Sequence, residues 1–380
     1  MGTAPRQQTS DTNHVWISEP QGLSNCYSDP QGRFTIVAAG ETDIHQFLHL
    51  DAYSAAKAFV DARFDVHGDL FAAIRFFSNH RHGVVRGFLF SLAARVEHLK
   101  THSILGGRKQ TAESIQFHYD RSNEFYAQFL DSRMVYSEAH FTNPEMSLEQ
   151  AQAEKLDRIC RHLELNPGDK FLDIGCGWGG LLIWAAEHYG ISALGCTLSN
   201  QQIQFARELV RRRRLANQVS VEAIDYRDLN GRFNKIASIG MFEHVGRSRL
   251  AAYFNRIYSL LPRGGLFLNR GIVRPQGVSD GPDTLFLQKN VFPGGQLVHL
   301  DDVIREGERA GFEAIGMEHV RDHYALTCRA WATNLRQNEH RCRSLVGVKT
   351  YRTWLLYLAA SAVAFEDSRT SAAEVLFAKN

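Results

Sequence analysis

The stretch KFLDIGCGWGG, residues 170–180, decides the fold. Its first five residues are mostly apolar and predict a buried strand, and a glycine-rich turn follows them directly. Glycines at positions 175 and 177 allow a sharp turn and leave space for a ligand against the backbone. The helix expected from residue 180 onward has free backbone N–H groups in its first turn. The stretch therefore predicts a strand, a ligand-binding turn and a helix.

The spacing of the acid and the glycines separates two classes of nucleotide-binding protein. A dinucleotide site usually has a GxGxxG turn and an acid at the end of the second strand. Here the pattern is Asp-x-Gly-x-Gly beginning at Asp173, and the second strand ends as GCTLS, residues 195–199, without an acid. The pattern departs from an NAD site and resembles class I S-adenosylmethionine-dependent methyltransferases. A purely structural turn in another doubly wound protein stays open at this point.

Regular alternation of helix and strand patterns surrounds this stretch. Strands are predicted at 170–174, 192–197, 219–224, 235–240, 266–273 and 312–318. Helices are predicted at 148–163, 180–189, 200–213, 249–261 and 301–310. Residues 373–378 are expected to add an edge strand, and residues 320–366 a helical insertion. Short apolar strands between helices indicate an α/β fold whose parallel sheet is covered on both faces.

Composition excludes several broad classes of protein. The chain has 380 residues, of which 44% are hydrophobic and 22% charged, so global disorder is excluded. Lys and Arg total 43 and Asp and Glu total 41, a net charge of +2 that excludes a generally cationic nucleic-acid binder. Six cysteines without a CxxC pair argue against structural zinc, so we expect no metal. Free thiols favour a reducing cytoplasm.

The chain divides into four predicted segments. Residues 1–30 are polar and predict a mobile tail, and residues 31–98 predict a small N-terminal α+β domain. A polar linker with paired glycines is expected at 99–114, before a catalytic domain at 115–380. The longest uncharged apolar run, 353–365, is too short to span a bilayer. The four arginines at 211–214 are either a solvated helix end or a peripheral contact with the inner face of the membrane.

Four stretches carry a resemblance to a known family. They read FHYDRSNEFY at 117–126, MVYSEAHF at 134–141, LDIGCGWGG at 172–180 and IGMFEHVG at 239–246. Together they resemble the cyclopropane-fatty-acid synthase family, which includes the mycolic acid methyltransferases; weaker matches are FPGGQL at 292–297 and HYALT at 323–327. The resemblance implies a Rossmann-like class I methyltransferase sheet with a helical lid, S-adenosylmethionine as cofactor and an unsaturated phospholipid or other lipid acyl chain as partner. A homodimer is left open.

The same resemblance implies a set of cofactor-binding residues. Tyr136 and Ser137 would lie over the methionine part, and Asp173, Gly175 and Gly177 would line the first turn. The remaining expected contacts are with the ribose and methionine parts (Thr197, Ser199, Gln202) and with the adenine (Asp225, Tyr226). For Ser199, a plain helix cap before residues 200–213 is the open alternative.

The expected catalytic residues depart in part from the family pattern. Family members hold a bicarbonate ion as base, using a Glu, a His, a Tyr and the backbone beside a Cys. Glu243 and Tyr324 match the Glu and the Tyr, whereas Arg270 stands at the His position and Glu138 at the Cys position. Arg holds an oxyanion well but cannot act as a base. The hypothesis is that Arg270 holds bicarbonate or the Glu138 carboxylate, which would then be a built-in base; a solvent-facing Glu138 beside a structural Arg270 ion pair is the alternative.

The resulting functional prediction is C-methylation at the double bond of a lipid acyl chain. The product would be a cyclopropane or a methyl-branched chain. Methylation of a soluble small molecule on carbon or nitrogen stays open, and so does a non-catalytic cofactor-binding partner subunit. The presence of Glu243, Tyr324 and the whole cofactor motif favours catalysis.

Overall fold

The structure, a computed structural model, describes residues 25–79, 122–143, 145–279, 282–292 and 296–380. The linker predicted at 99–114 and residues 1–24 of the predicted tail lie outside the described residues. The 117–126 motif is described from Ser122 onward, and the 292–297 motif only in part.

The N-terminal unit, residues 25–79, is a small three-stranded antiparallel sheet with helices packed on it. Its strands follow the order β1 (Cys26–Ser28), β2 (Phe34–Ala38), β3 (Phe64–Gly68). Its helices are α1 (His45–Leu48), α2 (Ala52–Val60) and α3 (Leu70–Ser78). Aspartates at 51 and 69 begin α2 and α3 by accepting hydrogen bonds from backbone N–H groups of the first turn.

Part of the predicted mobile tail belongs to this sheet. Residues 26–28 pair antiparallel with β2, Cys26 lying opposite Val37. The prediction of a tail over residues 1–30 is therefore wrong for this stretch. Its polar composition conceals a strand because a short edge strand buries little side-chain surface.

The main sheet has seven strands in the order β6-β5-β4-β7-β8-β10-β9. Their bounds are β4 (Lys170–Ile174), β5 (Ser192–Cys196), β6 (Val219–Glu222), β7 (Lys235–Ile239), β8 (Gly265–Val273), β9 (Glu313–His319) and β10 (Ser371–Lys379). Strands β4 to β8 are parallel, and β10 runs antiparallel to β8 and β9. The predicted α/β fold is confirmed, with strand bounds within two residues of the prediction.

Helices connect and cover the strands. They are α4 (Asn123–Tyr126), α5 (Leu148–His162), α6 (Gly180–Tyr189), α7 (Asn200–Arg212), α8 (Leu250–Leu260), α9 (Pro282–Asn290), α10 (Leu300–Arg309), α11 (Arg321–Gln337) and α12 (Glu339–Glu366). Single 3-10 turns follow β7, at Phe242–His244 and Arg247–Arg249. The predicted helical insertion is present as α11 and α12.

The last strand lies inside the sheet, not at its edge. Strand β10 hydrogen-bonds to β8 on one side and β9 on the other, so the expected edge position is wrong. The insertion formed by α11 and α12 returns the chain to the gap between those strands. Most β10 side chains are buried, as in a strand flanked on both sides.

The insertion also joins the N-terminal unit to the rest of the molecule. Helix α12 packs against α2 and α3, and Trp331 and Trp354 share one apolar core with Phe34 and Phe59. Within α12, Gly347 has a φ of 79° and interrupts the helix, a conformation that glycine adopts without strain. Among the residues that the structure describes, no helix is both long and apolar enough to cross a membrane.

Candidate active site

A first cavity lies at the carboxyl ends of β4, β5 and β7, where the strand order reverses. Ligands bind at this position in open α/β sheets, because loops on either side of the reversal separate and leave a crevice. The turn after β4 forms its floor, with Gly175 and Gly177 in the left-handed region at φ of 81° and 54°. A larger residue at either position would be strained there.

Nearly all the expected cofactor residues line this first cavity. They are Tyr136, Ser137, Asp173, Gly175, Gly177, Thr197, Gln202, Asp225 and Tyr226. Ser199 does not line it. Its Oγ accepts a hydrogen bond from the backbone N–H of Gln202 at 3.3 Å, which makes it the cap of α7. The helix cap, which was the open alternative for Ser199, is therefore present.

The loop that carries Tyr136, Ser137 and Glu138 is held from two sides. Gln152 of α5 donates its side-chain amide to the Ser137 carbonyl at 2.8 Å. The Ala139 backbone N–H donates to Thr327 Oγ1 of α11 at 2.9 Å. This double attachment fixes the three side chains between the sheet and the insertion.

A buried lysine that the sequence analysis did not single out completes the first cavity. Lys155 lines it and donates from Nζ to Ser137 Oγ at 2.9 Å. Burial lowers the pKa of Lys155 to about 8, and burial raises the pKa of Asp173 to about 7. The available signal was its position on the apolar face of α5, four residues from both Ala151 and Ile159.

The donor set of the first cavity fits the cofactor that the resemblance implies. At one end a buried carboxylate, Asp173, lies with Lys155 and Ser137, which suits an ammonium and carboxylate pair. Thr197 donates to Gln202 Oε1 at 2.8 Å, so hydroxyl and amide groups face the middle of the cavity. At the other end, Tyr226 offers an aromatic face, and Asp225 is held by Arg227 at 2.8 Å.

A second cavity of about 430 Å³ adjoins the first and is lined mostly by apolar side chains. Helices α2 and α3 of the N-terminal unit form part of its wall, and α9, α11 and α12 contribute most of the remainder. Tyr136, Gly240 and His244 line both cavities. The polar first cavity and the apolar second cavity therefore share these three residues as a common boundary.

Glu243 is the acidic group on the second cavity. It lies in the 3-10 turn after β7, where its Oε1 accepts the Ile272 backbone N–H at 2.7 Å. Its Oε2 is buried without a hydrogen-bond partner, and burial raises the pKa of this carboxyl to about 7. Gly271 makes room for it, because a Cβ there would lie 2.7 Å from Glu243 Oε1.

Aromatic and imidazole groups surround this carboxyl. Tyr324 lines the second cavity and stacks on Phe365 with ring centroids 4.5 Å apart, and burial raises its pKa. Burial lowers the pKa of His244 to about 4, so that imidazole is neutral near pH 7. The position of His244 directly after Glu243 in the motif at 239–246 was the signal that could have identified it.

Arg270 and Glu138 lie behind the cavities and line neither of them. Arg270 is fully buried and donates from Nε to Glu138 and from Nη1 to Glu374 at 3.0 Å. Glu138 is 1% exposed, so a solvent-facing Glu138 is wrong. Of the two anions expected for Arg270, the Glu138 carboxylate is in contact with it, but Glu138 does not reach the wall of either cavity. Its charge contributes to raising the pKa of Glu243.

Within the part of the chain that the structure describes, two groups of His and Glu residues have their potential ligand atoms within 4.8 Å of one another. They are His140, Glu318 and His323, and His162, Glu318 and Glu374. His323 Nδ1 accepts the Phe141 backbone N–H at 3.2 Å, which leaves its proton on Nε2, and Arg158 pairs with Glu318 at 2.6 Å. These contacts fit a cluster of ion pairs and hydrogen bonds better than they fit a metal site.

Comparison with known proteins agrees with this geometry. The profile of the family described as mycolic acid cyclopropane synthetase matches residues 107–375. The chain belongs to this family. It is an S-adenosylmethionine-dependent lipid methyltransferase of the cyclopropane synthase type, and the two alternatives left open by the sequence, a soluble acceptor and a non-catalytic subunit, are not supported.

Individual relatives extend the match. A probable fatty acid methyltransferase of Pseudomonas putida is 38% identical over 358 residues, covering 92% of this chain and 88% of its own. The cyclopropane synthase MmaA2 from Mycobacterium tuberculosis superposes with a TM-score of 0.68 at 30% identity, over 70% of this chain and 98% of its own. The mycolic acid cyclopropane synthase CmaA1 complexed with SAH and CTAB gives 0.67 at 29% identity, over the same shares.

Proposed function

We propose that this family member transfers a methyl group from S-adenosylmethionine to a carbon of a double bond within a lipid acyl chain. The observation that carries the proposal is the shared wall of the two cavities. A carboxylate-lined compartment suited to a sulfonium cofactor meets an apolar chamber at Tyr136, Gly240 and His244. A methyl donor bound in the first cavity and an alkene bound in the second would meet at these three residues.

The first cavity binds and orients the cofactor through its charged and hydroxyl side chains. S-adenosylmethionine supplies a methyl group bonded to a positively charged sulfur. Asp173 and Lys155 take the two charged ends of its amino acid part, and Thr197 and Gln202 its ribose. Asp225 and Tyr226 take its adenine. The buried position of Asp173 strengthens its attraction for a cation, because little water screens it.

The chamber presents the alkene in a dry environment. One alkene carbon forms a bond to the methyl carbon as the methyl–sulfur bond breaks, and the sulfur keeps that electron pair. The other alkene carbon becomes positively charged. The rings of Tyr136 and Trp331, with centroids 5.1 Å apart, line this part of the chamber and favour a nearby cation.

Proton removal completes the reaction, and Glu243 is the proposed base. When the new methyl loses a proton, its C–H electron pair forms the third bond of a cyclopropane ring and the proton passes to the carboxylate. A hydride shift before the proton loss gives a methyl-branched alkene or a methylene product. With a pKa raised to about 7, Glu243 is a stronger base than an exposed carboxylate and is still substantially ionised near neutral pH.

A bicarbonate ion held by Glu243 and Arg270 is the second candidate base. Glu243 Oε2 and Arg270 Nη2 are both buried without a hydrogen-bond partner; the O–H of a bicarbonate ion would donate to the first, and an oxygen of the ion would accept from the second. Arg270 lines neither cavity, so this ion would lie behind Glu243. In either case Glu138 and Glu374 are positioning residues, since they hold the Arg270 guanidinium from two directions.

Location is part of the proposal. All six cysteines are free and five are buried, which agrees with a reducing cytoplasm. Contact with the inner face of the membrane would be peripheral. Arg211 and Arg212 pair with Glu208, so the arginine run at 211–214 behaves largely as a solvated helix end rather than as a lipid-binding patch.

The test uses the purified chain, methyl-labelled S-adenosylmethionine and vesicles of monounsaturated phospholipid. We expect labelled acyl chains, with ring and branch separated by chromatography against standards. The assay is run in buffer stripped of carbon dioxide and again with added bicarbonate. Equal rates would support Glu243 as the base, and a rate that needs bicarbonate would support the ion. Cofactor binding without any labelled lipid would reject the proposed acceptor.

A further inference from the structure

We infer that the N-terminal unit, residues 25–79, sets the length of acyl chain that the enzyme accepts. The inference rests on the proposed function, because it takes the occupant of the apolar chamber to be an acyl chain. It adds that a unit lying outside the catalytic sheet is the specificity-determining wall of that chamber.

The wall is built from α2, α3 and the last strand of the unit. Ala56 and Phe59 from α2, Val66 from β3, and Ile74 and Phe77 from α3 all line the chamber. Glu243, Tyr136 and Tyr324, which belong to other elements, line the same chamber. The surface that the N-terminal unit offers to a chain is apolar apart from Ser78, whereas the reactive groups belong to other elements.

The chamber face of α2 is notable for its small side chains. Ala52, Ala55 and Ala56 are spaced i, i+3 and i+4, so they share one face of the helix, and all three line the chamber. Larger groups stand beside them at Phe59, Ile74 and Phe77. Alanine at these positions leaves space that a longer side chain would fill, and Ile74 fills space that an alanine would open.

This wall lies outside the residues that the family profile matches, although the Pseudomonas putida relative, aligned over 92% of this chain, extends into it. The family profile begins at residue 107, and the superposition with MmaA2 covers 98% of that protein but only 70% of this chain. The residues that line the first cavity all belong to the matched region. The matched region therefore supplies the reactive groups and part of the chamber, and the N-terminal unit adds a wall that lies outside the profile match.

The unit is attached firmly enough to act as a fixed wall. Arg352 of α12 is buried and donates to the carbonyls of Phe59 and Phe64, each at 2.6 Å. Arg336 of α11 donates to the carbonyl of Gly68 at 2.7 Å. Charge-assisted hydrogen bonds to carbonyls that end a helix and a strand hold the unit in register with the insertion.

The test changes the chamber volume in both directions. Ala56→Leu fills the wall, Ile74→Ala opens it, and Ala39→Leu makes the same enlargement at an exposed position of the same unit. Each variant and the parent receive an equimolar mixture of phospholipids with myristoleoyl, palmitoleoyl and oleoyl chains. Product ratios are read by mass spectrometry, and thermal melting verifies that each variant is folded.

Opposite shifts are the expected result. Ala56→Leu should move the ratio of palmitoleoyl to oleoyl product toward the shorter chain by about tenfold, because one or two methylenes in an apolar pocket discriminate on this scale. Ile74→Ala should move it toward the longer chain, and Ala39→Leu should leave it unchanged. Folded Ala56→Leu and Ile74→Ala variants with the parent's ratios would overturn the inference.

A binding series separates this inference from the proposed function. Affinity of the parent and the variants for the three free fatty acids is measured by calorimetry, without turnover. Should the parent bind these chains and methylate none, the proposed function fails, and the affinity ratios of the variants still decide whether the unit selects chain length. A parent that binds none of the three chains would overturn the inference directly.

Discussion

At the scale of single residues, the site depends on carboxyl groups that the fold keeps out of water. Glu243 has one oxygen bound to a backbone N–H and the other without a partner, and Asp173 is buried under the cofactor cavity. Both have a pKa raised to about 7 by burial. Ordinary carboxyls would be fully ionised at neutral pH, whereas these two titrate near it.

Glu243→Gln tests the proposed base directly. The variant keeps the shape and the Ile272 hydrogen bond but cannot accept a proton, so kcat should fall by about 100-fold or more. In the parent, kcat should rise as pH increases through about 7, because the deprotonated form is the active one. Steady-state kinetics from pH 5.5 to 9, together with calorimetric binding of S-adenosylhomocysteine, measure both effects. A variant that retains the parent's kcat while binding the nucleoside equally well would exclude Glu243 as base.

Gly271 has a similarly local role. A methyl group added there would come within 2.7 Å of Glu243 Oε1 and 2.6 Å of Phe242 Cε1, so the carboxyl must move. Gly271→Ala should therefore lower kcat by about 10-fold or more, since small displacements of reacting groups are costly. Gly316→Ala in the same sheet is the matched control, because its nearest neighbour, Leu376 Cβ, is 3.7 Å away. Equal kcat in the two variants would contradict this account.

Much of the residue-level site could be predicted from the motifs, and three positions show where that stops. The glycine turn and Asp173 follow from local sequence alone. The role of Lys155 could not be predicted, since its burial depends on a loop 18 residues earlier that brings Ser137 against it. Ser199 was ambiguous because one hydroxyl suits both a helix cap and a ligand. Glu138 was placed near Arg270 correctly, but only tertiary structure shows that both stand behind the cavity wall.

At the scale of elements, the last strand completes the electrostatics of the sheet. In the pairing of β10 with β8, Glu374 lies directly opposite Arg270. Burial acts to raise the pKa of Glu374, but the hydrogen bond with His162 and the charge of Arg270 outweigh it and hold that pKa below its usual value. Pairing of β10 with β8 thus places a second carboxylate, Glu374, beside Arg270.

Arg270→Met removes the shared cation and leaves Glu138 and Glu374 buried without it. Stability at pH 8 should drop by about 3–5 kcal/mol, the usual cost of stranding a buried charge. The loss should be smaller at pH 5, because protonation relieves a stranded carboxylate. Urea unfolding at the two pH values measures this. Arg211→Met, at an exposed pair with Glu208, should leave stability close to that of the parent, because water screens the pair. Equal losses of stability in the two variants would show that the buried pairs of Arg270 stabilise the fold no more than an exposed pair.

Element types and bounds were predictable because the strands from 170 to 273 are short, apolar and separated by amphipathic helices. The order of the strands within the sheet was less predictable. The pattern of residues 371–379 indicates a buried strand, yet side-chain burial does not reveal which strands flank it. The edge strand Cys26–Ser28 could not be predicted from its polar side chains, because an edge strand needs only backbone pairing.

At the scale of the whole molecule, the insertion connects the N-terminal unit, proposed to select the acyl chain, with the catalytic site. Helices α11 and α12 line the chamber, carry Tyr324 and bind the N-terminal unit through arginines. The sequence indicated a small domain before the catalytic one but gave no sign that they share a cavity. A cavity between distant segments arises from packing, which no local pattern encodes.

Arg352→Met should weaken the attachment of the N-terminal unit to the insertion. The carbonyls of Phe59 and Phe64 would lose their donor, so limited proteolysis within residues 25–79 should accelerate and kcat/KM for phospholipid should fall several-fold. Binding of S-adenosylhomocysteine should be unchanged, because the first cavity is distant from this contact. Lys349→Met, on the same helix but in an exposed pair with Asp61, is the control and should behave like the parent. Unchanged proteolysis in the Arg352 variant would show that other contacts hold the unit.

The interior position of β10 has a consequence for the order in which the protein is made. Strands β8 and β9 leave the ribosome well before residues 371–379, yet they are not neighbours and must keep a gap between them. Until the final strand is synthesised, the sheet has two open edges and Arg270 lacks one of its carboxylates. Translation at about 5–20 residues per second exposes those edges for seconds. Closure of the catalytic sheet is therefore a late event, and a ribosome stalled before residue 371 would hold a chain inclined to aggregate through those edges.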